Sequence, residues 1–129
     1  MNKKLLLTGS IFGIFAIILG AFAAHGLEKL VDENSIKSFE TGVRYQMYHA
    51  FLLLILGRSS FLPEKVKSRI WILTIVGIFF FSFSIYALAT NSLTSFNFKT
   101  IAFITPIGGL ILILAWVLML ITILKTKTD

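Results

Sequence analysis

Side chains with something to offer chemically are few in this chain: His25, then Tyr45, Gln46 and His49, then Ser82 and Tyr86, then Thr105. The histidines are the side chains whose ordinary titration lies nearest neutral pH. There is no cysteine, which excludes disulfides, thiolate metal sites, thiol nucleophiles and cysteine-linked lipid anchors. Three kinds of chemistry fit such a set. Metal or haem ligation would draw on His25 and His49, with Glu28 or Glu40 as the nearest acids. Metal sites need converging ligands with a supporting shell, and haem needs axial ligands plus a cavity, yet no recognised ligand spacing is present. Contact with a quinone or a lipid headgroup would use the tyrosines, the glutamine and the imidazole as hydrogen-bonding groups. The third kind is structural, polar groups satisfying one another inside a packed bundle. That role is the one expected, with no metal, no cofactor and no catalytic residue. No nucleophile, base and orienting group occur at an interpretable spacing, so an enzyme is not expected.

Composition dictates what must position these residues. Of 129 residues, 57% are hydrophobic and 14% charged, far more apolar than a soluble domain of this length needs. A small chain also has too much surface for its volume to hide so many apolar side chains from water. An integral membrane protein follows. Residues 5–24, 43–61, 70–90 and 101–124 each come close to the roughly 20 helical residues that cross a hydrocarbon core about 30 Å thick. The second holds that length only by taking in Arg44 or Arg58, whose guanidinium groups can snorkel to the interface. None of these runs alternates polar with apolar residues as a barrel strand would. The fold class is therefore all-α, a single four-span transmembrane bundle over residues 1–129. Gly9, Gly13, Ala16, Gly20, Ala23 and Ala24 recur at helical spacing on the first span, and Gly108, Gly109 and Ala115 on the last. Such seams let helix backbones approach closely. Lys3 and Lys4 ahead of an apolar run ending in Ala21-Phe22-Ala23 outline a signal peptide, but the run has the length of a full span and is expected to be retained.

Charge sets the expected orientation. Lys3, Lys4, Arg58, Lys65, Lys67, Arg69, Lys125 and Lys127 fall at the amino terminus, the second loop and the carboxyl tail. The opposite side has Lys29, Lys37, Arg44 and Lys99 together with Glu28, Asp32, Glu33 and Glu40. The positive-inside rule then predicts that both termini are cytoplasmic. The net charge of +6 reads as a topology signal and an attraction to anionic lipid headgroups. No nucleic-acid recognition motif accompanies it, so nucleic acid is not an expected partner.

Local signals refine the elements. Asn34 or Ser35 is expected to cap the second helix, "EKVKSR" to form a basic turn, "TNSLTSFNFKT" a polar outer loop, and Thr105-Pro106 to open the last helix. At about 100° per residue, Phe39, Gly42, Tyr45, Gln46, His49, Leu53 and Leu56 share a face that points into the bundle, while Glu40 and Arg44 pair on the opposite one. Counting about 1.5 Å per residue from the outer helix ends sets His49 level with Ser82 and Tyr86, which predicts a hydrogen bond from His49 to one of them.

Four stretches carry a resemblance: "GAFAAHGL" at 20–27, "FETGVRYQMYHA" at 39–50, "FSFSIYAL" at 81–88 and "TPIGGLILILAW" at 105–116. In this order, over nearly the whole chain, they resemble the motifs of the small membrane-protein family named domain of unknown function 423. That family usually reads glycine where this chain has Ala23, Phe83 and Ala115. The resemblance implies a multi-pass protein with four helices in the bacterial cytoplasmic (inner) membrane, and it brings no catalytic residues with it. The function expected is structural or assembly-related, in contact with membrane lipids and with a membrane-protein partner or further copies of itself. The alternative is a lipid, quinone or metal binding module built on the outer polar cluster. A small oligomeric transporter or channel ranks below both, since so few intramembrane polar groups do not line an evident pore.

Overall fold

The computed structural model describes residues 1–95 and 97–127. Phe96, inside the expected outer loop, lies outside the described residues, as do Thr128 and Asp129. The elements run α1 (Lys3–His25), α2 (Glu33–Arg58), α3 (Glu64–Ile78), a π-helical turn (Phe79–Phe83), α4 (Ser84–Ala89) and α5 (Ile104–Lys125), with short 3-10 turns at Leu27–Lys29, Asn91–Leu93 and Phe98–Ile101. Since α3, the π turn and α4 follow without a break, they make one rod, and the protein is a bundle of four rods. No strand occurs among the described residues.

Three rods, Lys3–Lys29, Glu64–Ala89 and Ile104–Lys125, are long and apolar enough to cross a membrane. The fourth, α2, contains most of the span expected at 43–61 but begins at Glu33 and ends at Arg58. Its first half is polar, which keeps it outside that group. It nevertheless runs antiparallel along the whole of α1. The Asn2 backbone N–H donates to the Gly57 carbonyl at 2.7 Å at one end, and the rings of Phe22 and Phe39 meet edge to face, 6.3 Å apart, at the other. Its 26 residues measure about 39 Å at 1.5 Å per residue.

Helix ends differ from the expected caps in instructive ways. Asp32 caps α2, its carboxylate accepting the Ser35 backbone N–H at 2.8 Å, so Asn34 and Ser35 sit in the first turn instead. Pro63 precedes α3, which continues through "EKVKSR". The expected basic turn is therefore helical, and the link between α2 and α3 shrinks to residues 59–63. Helix α5 opens at Ile104 with no side-chain cap. Pro106 falls in its first turn, where backbone N–H groups have no intrahelical acceptor and the missing donor costs little.

Packing is pairwise. Helix α1 lies on α2, the third rod lies on α5, and α2 joins the two pairs through the π turn and α4. Leu5, Phe12, Leu53, Leu56, Ile70, Ile78, Leu112 and Ala115 form the buried core. Glycines set the closest approaches. A Cβ on Gly9 would stand 2.8 Å from the Ala50 carbonyl oxygen, one on Gly42 would stand 2.7 Å from the Tyr86 ring, and one on Gly108 would run into the backbone of Phe80 and Phe81. Gly20 and Gly109 make ordinary contacts at 3.5 and 3.6 Å, and Gly13 has nothing within 4 Å. The outward faces of α1 and α5, with Ile14, Ile17, Ile18, Leu110, Ile113 and Leu120, are exposed. They form the apolar surface that a bilayer would cover.

Candidate functional site

Gln46 is the centre of the polar core. It is 1% exposed, and an amide so placed must find partners, because an unpaired polar group in an apolar surround costs several kcal/mol at the upper end. Its Nε2 donates to the Phe12 carbonyl of α1 at 2.9 Å, and its Oε1 accepts the Tyr86 hydroxyl of α4 at 2.7 Å. One side chain on α2 thus ties two neighbouring rods. Beside it, the Ser82 hydroxyl donates to the Gly42 carbonyl at 2.8 Å. Gly42 lets this happen: without a side chain it admits the Tyr86 ring and brings α2 close to the π turn.

His49 belongs to a second, separate contact. Its Nδ1 lies 2.7 Å from the Tyr45 carbonyl, and its Nε2 lies 3.0 Å from the indole Nε1 of Trp116 on α5. A carbonyl only accepts and an indole only donates, so the network assigns the proton to Nδ1 and the lone pair to Nε2. The imidazole is neutral, and both nitrogens are engaged. Its partner is therefore neither Tyr86 nor Ser82, as depth alone had indicated. The reason is angular: Gln46 and His49 sit about 60° apart on the helix, so Gln46 faces α4 and His49 faces α5.

The remaining candidates disperse. Tyr45 is 40% exposed and its ring packs at a tilt against Phe81, with ring centroids 4.9 Å apart; its carbonyl serves the cluster. The hydroxyls of Ser84 and Thr105 meet and tie α4 to α5. His25 is exposed at the end of α1. Glu40 and Arg44 do not form the expected pair: Arg44 donates to the Thr41 hydroxyl at 3.1 Å, and the ion pair on this stretch is Glu33 with Lys37 at 3.6 Å. Among the described residues, no three His, Asp or Glu side chains gather as a metal site would need.

Two polar contacts lay beyond sequence reasoning. Trp116 escaped because an aromatic in an apolar run reads as lipid-facing, although an indole N–H with no water nearby is itself a signal that a partner exists. Lys67, counted only as a topology charge, is 2% exposed. Its ammonium bonds the Ser59 carbonyl and the Glu64 carboxylate, and Glu64 also accepts from Asn2 at 2.8 Å. This cluster stitches the start of α1, the end of α2 and the start of α3.

The model of a family described as a protein of unknown function, DUF423, matches residues 19–109. The chain belongs to that family. The matched DUF423 stretch takes in Gln46, His49, Ser82, Tyr86 and Thr105 and ends before Trp116. Among relatives, the UPF0382 membrane protein of Haemophilus influenzae is 33% identical over 99% of both chains. The UPF0382 membrane protein YwdK of Bacillus subtilis is 33% identical over 95% of this chain and 98% of its own. The UPF0382 inner membrane protein YgdD of Escherichia coli is 32% identical over 98% of this chain and 93% of its own. No solved structure matches. This DUF423 member is accordingly an all-α integral membrane protein of a family whose function is not known.

Proposed function

We propose that this protein is a structural or assembly element of the bacterial inner membrane, crossing it four times with both termini in the cytoplasm and catalysing no reaction. The observation that carries the reading is how the buried polar groups are used. Gln46, Tyr86, Ser82, His49 and Trp116 bond to one another or to backbone carbonyls across helices, so they act as fasteners between rods. The continuous pairing of α2 with α1 supports four spans, and the basic residues at the end where both termini lie support the orientation. The partner is a larger membrane protein or a second copy, docked on the apolar outward faces of α1 and α5. Nucleic acid has no part in it.

The test is native mass spectrometry of protein drawn from its own membrane in mild detergent, alongside crosslinking in intact membranes. A stoichiometric membrane-protein partner or a homo-oligomer is expected. A lone monomer in both experiments would overturn the reading. A small molecule at full occupancy, lost on His49→Gln, would replace it with a binding module.

A further inference from the structure

Between α1 and the third rod the protein leaves a groove of about 330 Å³, walled by Ile11, Phe12, Phe15 and Leu19 on one side and by Phe79 and Phe83 on the other. Gln46 reaches its inner wall, but the amide is already engaged by Phe12 and Tyr86. What the groove offers is thus hydrocarbon and aromatic surface. Its third-rod wall is the π turn, an interruption of the α-helical ladder that is frequent at functional sites. Phe79 and Phe83 bound that turn and meet edge to face at 4.6 Å.

One turn below the groove, the Trp71 indole N–H donates to the Thr8 hydroxyl at 2.8 Å, and the Lys4 ammonium lies over the Trp71 ring, 4.7 Å from its centroid. The ion pairs among the described residues are Glu33 with Lys37 and Glu64 with Lys67. Neither neutralises Lys4, and Lys3 adds a second charge beside it. Among the described residues, the carboxylate at this end is Glu64, and it is taken by Lys67 and Asn2. Lys4, Thr8, Ile11, Phe15 and Leu19 follow one another along a single helix face. Ile11 and Phe15 lie about 10 and about 16 Å deeper than Lys4 at 1.5 Å per residue. One leaflet of the hydrocarbon core is about 15 Å deep, so a chain anchored beside Lys4 reaches the groove.

We propose that the groove seats one acyl chain of an anionic phospholipid whose headgroup is held at Lys4. The apolar walls select a chain, and the unneutralised cation at the interface selects negative charge, an attraction that each basic residue near a membrane surface contributes.

The experiment uses the full chain, reconstituted with phosphatidylglycerol or phosphatidylcholine and then released into the mass spectrometer. Retained phosphatidylglycerol is expected to fall about fivefold with Lys4→Gln and to hold steady with Lys125→Gln, which removes a charge at the same end on α5, a helix that supplies no wall of the groove. Phe15→Trp, at a half-exposed position, fills the groove and should displace the lipid. On the unaltered protein, phosphatidylglycerol carrying a diazirine in its chain should label residues 11–19 and 79–83. Equal loss with Lys4→Gln and Lys125→Gln, equal retention of the two lipids, label spread evenly over the outer face of α5, or a second protein copy in place of lipid would each overturn the proposal.

Discussion

His49 holds a proton on Nδ1 and a lone pair on Nε2 because each nitrogen meets its complement, the Tyr45 carbonyl and the Trp116 indole. Replacing it with Ala strands the indole N–H between helices. The expected cost is about 0.6 kcal/mol and at most about 1.7, the range for polar contacts between membrane helices. Gln, which keeps a donor and an acceptor, should restore part of it, read as thermal stability in detergent. Equal stability of all three proteins would mean that the contact contributes nothing. Thr74 is the opposite case. It is fully buried, and among the described residues its hydroxyl is the buried side-chain polar atom without a partner. Val, of the same shape without the hydroxyl, should raise stability by about 1 kcal/mol; a loss instead would reveal a bond to the hydroxyl. Which residues cluster was legible in the sequence only as a band of depth. Depth gathers Gln46, His49, Ser82 and Tyr86 at one level, but choosing partners within the band requires the rotation of each helix, and a 60° difference reassigns Tyr86 from His49 to Gln46.

The helices themselves were legible because apolar length decides them, and three of the four expected runs overlap rods that meet the length and apolarity for a span, although 70–90 runs past Ala89 and 101–124 starts before Ile104. The π turn was not, since "FFFSF" carries no residue that demands it. At this turn Ser82 faces α2 and Ser84 faces α5. Spacing alone also could not rank the glycines, because contact depends on which face meets a neighbour. Gly108→Ala pushes a methyl into the backbone of Phe80 and Phe81, which cannot swing away as a side chain would, and should cost about 1–3 kcal/mol. Gly13→Ala meets open space and should be neutral or stabilising by up to about 1 kcal/mol, the helix preference for Ala over Gly. Comparable losses for the two would sink this account of packing. At the start of α2, the Asp32 carboxylate is held below its ordinary 3.8, chiefly by the Ser35 backbone N–H it accepts and then by the Ser35 hydroxyl. A lowered carboxylate stabilises the fold above its unfolded value and loses that contribution as pH falls through the folded one. Protection of the Ser35 amide from hydrogen exchange should therefore decline below about pH 4. Asp32→Asn, a neutral cap, should be indifferent to pH over that range, and Asp32→Ala unprotected throughout.

For the molecule as a whole, the proposed orientation makes the loop after α4 external and the start of α3 internal. A cysteine at Ser95 should react with an impermeant thiol reagent on intact cells, and one at Ser68 should react only after lysis; the reversed pattern would turn the protein over. The stitch around Lys67 adds a ruler to this picture. The Lys67–Glu64 ion pair, with Asn2 donating to the same carboxylate, belongs in the headgroup zone, so the hydrocarbon boundary falls beyond it along α3. Residues 70–89 then remain to cross the core, a length of about 30 Å at 1.5 Å per residue. That equals the thickness of an ordinary bilayer, leaving little slack for tilt. A protein pinned in this way registers membrane thickness. In a thicker bilayer it must thin its surroundings or pull the Lys67 stitch toward oil, and either response penalises the wrong membrane.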